Sequence, residues 1–135
     1  MKLTPYIHYH GNAEEALNFY AAALNGIVQQ LSRYGDTPME CDEDWKQKIV
    51  HARLVFEDNM IMISDSFKDR PFSTDGNVQM SIDVEDAGKL ETVFNKMAED
   101  GTITMPLQDT FWGARFGMLK DKFGVSWMFN CEIKK

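Results

Sequence analysis

The predicted secondary-structure elements of this chain occur twice in the same order, namely one strand, one helix and three strands. In the first copy we predict a helix at 13–24 and strands at 5–10, 27–34, 48–56 and 60–64. In the second copy we predict a helix from residue 87 to about residue 99 and strands at 78–84, 103–107, 114–119 and 125–130. A repeated order of elements constrains the fold strongly, because both copies are expected to follow one plan. The dipeptides Ala52-Arg53 and Ala114-Arg115 open the corresponding hairpins and extend the repeat to individual residues.

Both predicted helices have clear start and stop signals. Asn12 is a suitable N-cap, and Glu15 stands three residues later, where a capping box has a Glu. Asn25-Gly26 supplies the left-handed residue that ends the first helix. In the second copy Asp86 takes the place of the N-cap, and Asp100-Gly101 ends the helix in the same way.

Composition excludes several classes of protein. The chain has 135 residues, with 14 Lys and Arg against 21 Asp and Glu and a net charge of −7, so a basic surface for nucleic acid is not expected. No apolar run has the roughly 18–20 residues of a membrane helix, and no apolar leader follows Met1. Two cysteines, Cys41 and Cys131, make neither a disulfide framework nor a zinc cluster. We expect a cytoplasmic protein.

Several motifs in this repeat resemble those of the vicinal oxygen chelate superfamily, which includes glyoxalase I, bleomycin-resistance proteins and extradiol dioxygenases, and in particular its PhnB-like branch. The motifs are Thr4-Pro5-Tyr6, Gly11-Asn12, residues 13–20, His51-Ala52, residues 62–65, residues 110–112 and residues 121–128. The resemblance implies an α+β fold in which two βαβββ modules form curved mixed sheets around a cavity. It also implies a single domain over residues 1–135, with modules at about 3–66 and 76–132, and a homodimer.

The metal enzymes of this superfamily hold one ion with four residues, from the first and last strands of each module. The resemblance puts Pro5, Met62, Gln79 and Met128 at these places. Proline has no ligand atom and a thioether is a poor ligand for hard or borderline cations, so we expect no resident metal or other cofactor. Some PhnB-like proteins carry a demethylubiquinone methyltransferase label, but no glycine-rich loop here supports methyl transfer from S-adenosylmethionine.

Three histidines are candidates for chemistry. His8 and His10 lie two residues apart on the first strand, and His51 lies on another strand, so they are candidates for a metal site or for acid–base catalysis. The face of the first strand is ambiguous. The frame of the metal enzymes directs Pro5, Ile7 and Tyr9 into the cavity, whereas the apolar pattern packs Ile7 and Tyr9 under the first helix and leaves His8 to the cavity.

Three further side chains have both a structural and a ligand-binding interpretation. Asp65 ends its strand, where it caps a loop, accepts a bond from Arg53 or contacts a ligand. Trp112 lies in a loop and has to pack on the core, a partner subunit or a ligand. Arg115 either clamps a carboxylate or phosphonate or pairs with a surface acid.

Two hypotheses about function follow. The first is metal-independent binding of a small apolar or aromatic molecule in the cavity. Its candidate ligand-binding residues are Tyr6, His8, His51, Met62, Asp65, Gln79, Trp112, Arg115 and Met128. The second is a lyase, isomerase or dioxygenase type of enzyme that uses His8 and His51, with or without a divalent metal.

Overall fold

The computed structural model describes residues 2–73, 78–111 and 113–133. The chain divides into two units, Met1–Phe72 and Ser73–Lys135. Each unit contains one four-stranded mixed sheet and one α-helix, so the α+β class and the repeated order of elements are confirmed.

The first unit is built from the elements β1 (Tyr6–Tyr9), α1 (Ala13–Leu24), β2 (Ile27–Arg33), β3 (Ile49–Phe56) and β4 (Asn59–Asp65). Its strands lie in the order β1-β4-β3-β2, with β1 parallel to β4 and the other neighbours antiparallel. The predicted bounds of α1 are confirmed. The acidic loop between β2 and β3 contains two single 3-10 turns, Tyr34–Asp36 and Glu43–Trp45.

The second unit repeats this plan with the elements β5 (Met80–Asp83), α2 (Ala87–Met97), β6 (Thr102–Asp109), β7 (Ala114–Lys120) and β8 (Ser126–Glu132). Its strands lie in the order β5-β8-β7-β6. The strand β5 begins later than predicted: the β-branched side chain of Val78 favoured a strand there, but Val78 is 75% exposed and is not held by packing. The strand β6 extends beyond the predicted residues 103–107 at both ends.

Each helix covers one face of its own sheet. In the first unit the Tyr9 hydroxyl donates a buried 2.8 Å hydrogen bond to the Tyr20 hydroxyl of α1, and Ala52 and Leu54 alternate as fully buried residues of β3. Because side chains alternate along a strand, Tyr9 lies on the helix face, and Tyr6 and His8 lie on the other face. We call the face away from the helix the open face.

This alternation decides between the two interpretations of the first strand. Ile7 and Tyr9 share the helix face, as the apolar pattern predicted, and His8 is on the open face. The alternative that directed Pro5, Ile7 and Tyr9 away from the helix is wrong. The physical reason is the burial of Tyr9, which is 1% exposed and is hydrogen-bonded to α1.

The N-terminus of α1 is capped from another strand. Asn12 occupies the N-cap position, but its side chain makes no capping hydrogen bond, so the predicted capping box is wrong. Instead the Asp65 carboxylate at the end of β4 accepts hydrogen bonds from the backbone nitrogens of Gly11 (2.7 Å) and Ala13 (3.0 Å). A full negative charge stabilises a helix N-terminus more strongly than a neutral amide does. In α2 the predicted cap forms, since Asp86 accepts from the nitrogen of Lys89 at 2.9 Å.

The two Ala-Arg dipeptides are not structural equivalents, contrary to the prediction. Arg53 pairs with Met62 and lies on the open face, between the buried residues Ala52 and Leu54. Arg115 pairs with Cys131 and lies on the helix face of the second sheet. It shares this face with Gly117, where an added Cβ would lie 3.0 Å from the Phe94 ring of α2. The order of elements repeats in the two units, but the two Ala-Arg dipeptides do not occupy equivalent positions.

No helix in residues 2–73, 78–111 and 113–133 is long and apolar enough to cross a membrane.

Candidate functional site

Side chains from three strands gather on the open face of the first sheet. We call them the open-face cluster: Tyr6 and His8 from β1, His51 and Arg53 from β3, and Met62 and Ser64 from β4. The strand register places Tyr6, Met62 and Arg53 side by side in one row, and places His8 beside Ser64. His51 lies two residues before Arg53 and therefore on the same face.

Tyr6 is in contact with both histidines of the cluster. Its hydroxyl lies 2.9 Å from Nδ1 of His51, and its ring meets the His51 ring edge-on at 5.6 Å. On the other side it stacks on the His8 ring, with centroids 4.6 Å apart and an interplanar angle of 17°. Tyr6 remains 41% exposed. The cluster therefore contains three aromatic rings joined through Tyr6, with the polar atoms of the Tyr6 hydroxyl and of the imidazoles at their edges.

His8 is held in its uncharged form near neutral pH. Partial burial and, to a smaller extent, the positive charge of Arg70 lower the pKa of His8 from its usual value of 6.5. Its Nδ1 lies 3.3 Å from Oγ of Ser64. A neutral imidazole can accept a proton or a hydrogen bond at its free nitrogen.

Arg53 is the member of the cluster that has a buried hydrogen-bond donor without an acceptor. Its Nε is buried and has no hydrogen-bond partner among the described residues. The sequence prediction considered Arg53 only as a partner of Asp65, but the Asp65 carboxylate accepts instead from Gly11, Ala13 and Ile49. The signal that could have identified Arg53 is its alternation with His51 on one strand, which puts both on one face.

The loop after β4 brings a second guanidinium close to the cluster. Cζ of Arg70 lies 4.9 Å from the centroid of the Phe67 ring, and that ring meets Tyr34 edge-on at 5.9 Å. Tyr34 in turn is anchored, because its hydroxyl donates a 2.6 Å hydrogen bond to the carbonyl of Asp65. The loop therefore brings the positive charge of Arg70 close enough to act on His8, and Asp65 acts as a structural residue.

His10 does not join the cluster. Its Nε2 lies 2.8 Å from the carbonyl oxygen of Lys68, and its ring stacks on Phe72 at 5.6 Å and contacts Trp45. In the described part of the chain no group of three or more His, Cys, Asp or Glu side chains is arranged to hold a metal ion.

The strand register also changes which residues stand at the predicted metal-ligand places. Tyr6, rather than Pro5, lies beside Met62 in the first unit. In the second unit Ser81, rather than Gln79, lies beside Met128. A phenol, a hydroxyl and two thioethers do not fit a divalent metal of the glyoxalase type, which takes carboxylate oxygens and imidazole nitrogens.

The remaining predicted site residues belong to the second unit. Gln79 is exposed and precedes β5, Met128 lies on β8 opposite Met118, and Trp112 lies outside the described residues. Arg115 forms ion pairs with Asp109, at 2.9 Å, and with Glu91 of α2, at 3.7 Å. Two roles were predicted for Arg115, and the structure shows the second of them, the pairing with surface acids.

Comparison with known proteins identifies relatives along the whole chain. A family model described as 3-demethylubiquinone-9 3-methyltransferase matches residues 1–129. The chain is 40% identical to protein PA1353 from Pseudomonas aeruginosa, with a TM-score of 0.91 over 99% of both chains. It is 31% identical to a putative 3-demethylubiquinone-9 3-methyltransferase, PhnB protein, from Bacillus cereus, with a TM-score of 0.82 over 97% of this chain and 99% of that one.

A more distant likeness concerns the fold alone. A glyoxylase/bleomycin resistance protein/dioxygenase domain from Frankia has a TM-score of 0.70 over 99% of this chain and 93% of that one, at 12% identity. A shared scaffold at this distance says nothing about a shared reaction, because one fold carries many chemistries.

Proposed function

The chain belongs to the PhnB-like 3-demethylubiquinone-9 3-methyltransferase family, and from that premise we propose that it binds a small aromatic or apolar molecule on the open face of its first sheet. The observation that carries the proposal is the half-exposed Tyr6 ring, which is stacked on His8 and joined to His51. Met62 lies beside it and adds an adaptable, polarizable surface.

Methyl transfer, which the family description names, would require a place for S-adenosylmethionine. The turn between β1 and α1 is where a Rossmann-type cofactor site needs an open glycine-rich loop with free amides. Here the Asp65 carboxylate already accepts the amides of Gly11 and Ala13. The Trp45 ring lies 3.4 Å from the position of a Cβ at Gly11. This turn does not fit a Rossmann-type cofactor site, and the function proposed here involves no methyl transfer.

The proposal is tested by calorimetric titration with 2-naphthamide, a neutral aromatic probe. We expect saturable binding with one probe per chain. Tyr6→Ala removes the stacking ring and should weaken binding about three- to tenfold, whereas Tyr6→Phe keeps the ring and should bind within about twofold of the wild type.

Phe111→Ala is the matched control, because Phe111 is an aromatic residue of the second unit that is 97% exposed. This variant should bind 2-naphthamide as the wild type does. Absence of saturable binding, or equal binding by the wild type and a folded Tyr6→Ala variant, would contradict the proposal.

The histidines support acid–base chemistry as a second candidate function. The Tyr6 hydroxyl is within hydrogen-bond distance of His51, and the lowered pKa keeps His8 in the basic form that general-base catalysis requires. The test is turnover of a panel of small carbonyl compounds by the wild type, His8→Ala and His51→Ala. Turnover that is lost in both variants supports an enzyme, and no turnover across the panel argues against one.

A further inference from the structure

The arginines of this chain differ in whether a carboxylate neutralises them. Arg33 forms a fork with Glu14, with distances of 3.0 and 2.7 Å, and Arg115 pairs with Asp109 and Glu91. Arg53 forms no ion pair and no hydrogen bond with any side chain of the described residues, and its Nε is buried. With 21 acidic residues against 14 basic ones in the chain, a guanidinium without a carboxylate is unexpected.

No carboxylate of the described residues forms an ion pair with Arg53. In its row across the sheet it stands between Gln29 and Met62, and Tyr6 follows on the other side of Met62. Asp65, the acid at the end of β4, faces α1 and uses both carboxylate oxygens on backbone amides. An arginine whose donors are left unmatched in a folded protein is well suited to a bound anion, because its planar group can donate two parallel hydrogen bonds to an oxyanion.

A second positive group lies near the same face. Arg70, on the loop after β4, acts electrostatically on His8, and its guanidinium lies over the Phe67 ring, with no ion pair to a carboxylate in the described part of the chain. The open face of the first sheet thus combines aromatic rings with the guanidinium of Arg53, and Arg70 acts on His8 from the adjacent loop, although the chain as a whole is acidic. A ligand that has both an aromatic ring system and an oxyanion would match the aromatic rings and the arginine of this face.

We infer that the ligand of the open-face cluster carries an anionic group of the carboxylate or phosphonate type, which Arg53 binds while the apolar part of the ligand lies on Tyr6 and Met62. This inference rests on the proposed function, since it specifies the charge of a molecule that the same face binds. Nothing in it requires catalysis.

The test compares two probes of nearly the same shape, 2-naphthoate and the neutral 2-naphthamide, by calorimetric titration at neutral pH. We expect the wild type to bind the carboxylate about tenfold more tightly than the amide, as a charge-assisted hydrogen bond predicts. In Arg53→Met the two affinities should become equal to within about twofold, chiefly because the affinity for the carboxylate falls.

Two further variants separate the role of Arg53 from general effects of charge. Arg115→Met removes the same charge from an arginine that is already paired with Asp109 and Glu91, so it should keep the preference for the carboxylate. Arg53→Lys keeps a charge without the planar fork and should keep part of the preference.

The outcomes distinguish this inference from the proposed function. If the wild type binds both probes equally well, or if Arg53→Met and Arg115→Met behave alike, the inference is wrong and the binding function stands. If the wild type binds neither probe, both are wrong.

Discussion

The carboxylate of Asp65 lies 3.0 Å from the backbone nitrogen of Ala13, the first residue of α1. The same side chain accepts hydrogen bonds from Gly11 and Ile49. It therefore ties the end of β4 to the start of α1 and to β3, at the point where β1 ends. The strands that carry the open-face cluster are thus held at one end by a single buried acid.

Asp65→Ala should lower the free energy of unfolding by at least about 3 kcal/mol, because it leaves three backbone amides without an acceptor. Asp65→Asn keeps one acceptor oxygen and should cost about 1–2 kcal/mol. Urea denaturation measures both. Asp69→Asn, at an exposed acid of the following loop, is the control and should change stability by less than about 0.5 kcal/mol. Equal stability of the Asp65 and Asp69 variants would refute the anchoring role.

Arg53→Met should not destabilise the protein. The substitution removes a buried donor that has no partner in the described residues and replaces it with an apolar chain of similar length, so we expect an unfolding free energy equal to or up to about 1 kcal/mol above that of the wild type. Arg33→Met removes an arginine that is paired with Glu14 and should lower stability. A clear loss of stability in Arg53→Met would mean that Arg53 serves the fold.

His8 should make stability depend on pH below about 6.5. Its pKa is lowered in the folded protein, first by burial and then by Arg70, so the unfolded chain takes up a proton before the folded chain does. The free energy of unfolding therefore falls as the pH drops through 6.5 towards the folded-state pKa, and this contribution is constant above 6.5. His8→Gln should show a smaller loss of stability between about pH 7.5 and pH 5.5. Parallel pH profiles of the variant and the wild type would exclude this effect.

The resemblance to the vicinal oxygen chelate superfamily also predicts a homodimer. Multi-angle light scattering at micromolar concentration should give about twice the chain mass of 15.5 kDa. A mass equal to that of one chain would contradict the prediction.

Local patterns in the sequence were sufficient for the secondary structure. The apolar spacing of residues 13–24 and the left-handed Asn25, with φ of 54°, both appear in α1 as predicted. Helix periodicity and stop signals are properties of neighbouring residues, so a single sequence carries them. The order of strands and helices follows from the same information, whereas the α+β fold was implied by the resemblance to the vicinal oxygen chelate superfamily.

Contacts between distant residues were predicted less well. The N-terminus of α1 is capped by Asp65, which is 52 positions away from Ala13 in the sequence. Rules for helix caps consider only neighbouring residues, so they indicated Asn12 and could not identify Asp65. Arg53 and Arg115 share an Ala-Arg dipeptide, but Arg53 lies in the middle of β3 and Arg115 near the start of β7. The register of their sheets puts Arg53 on the open face and Arg115 on the helix face. Because a shift of one residue reverses the face of every side chain, repeat matching alone could not assign these two arginines.

The most direct test of a ligand site on the open face is a titration followed by NMR of the methionine methyl groups. With 2-naphthoate as probe, the methyl signal of Met62, which lies beside Tyr6 and Arg53, should shift saturably. The signal of Met97, the buried last residue of α2 in the second unit, should stay in place. Saturable binding that leaves Met62 unshifted and moves other methionines instead would contradict a site on the open face of the first sheet.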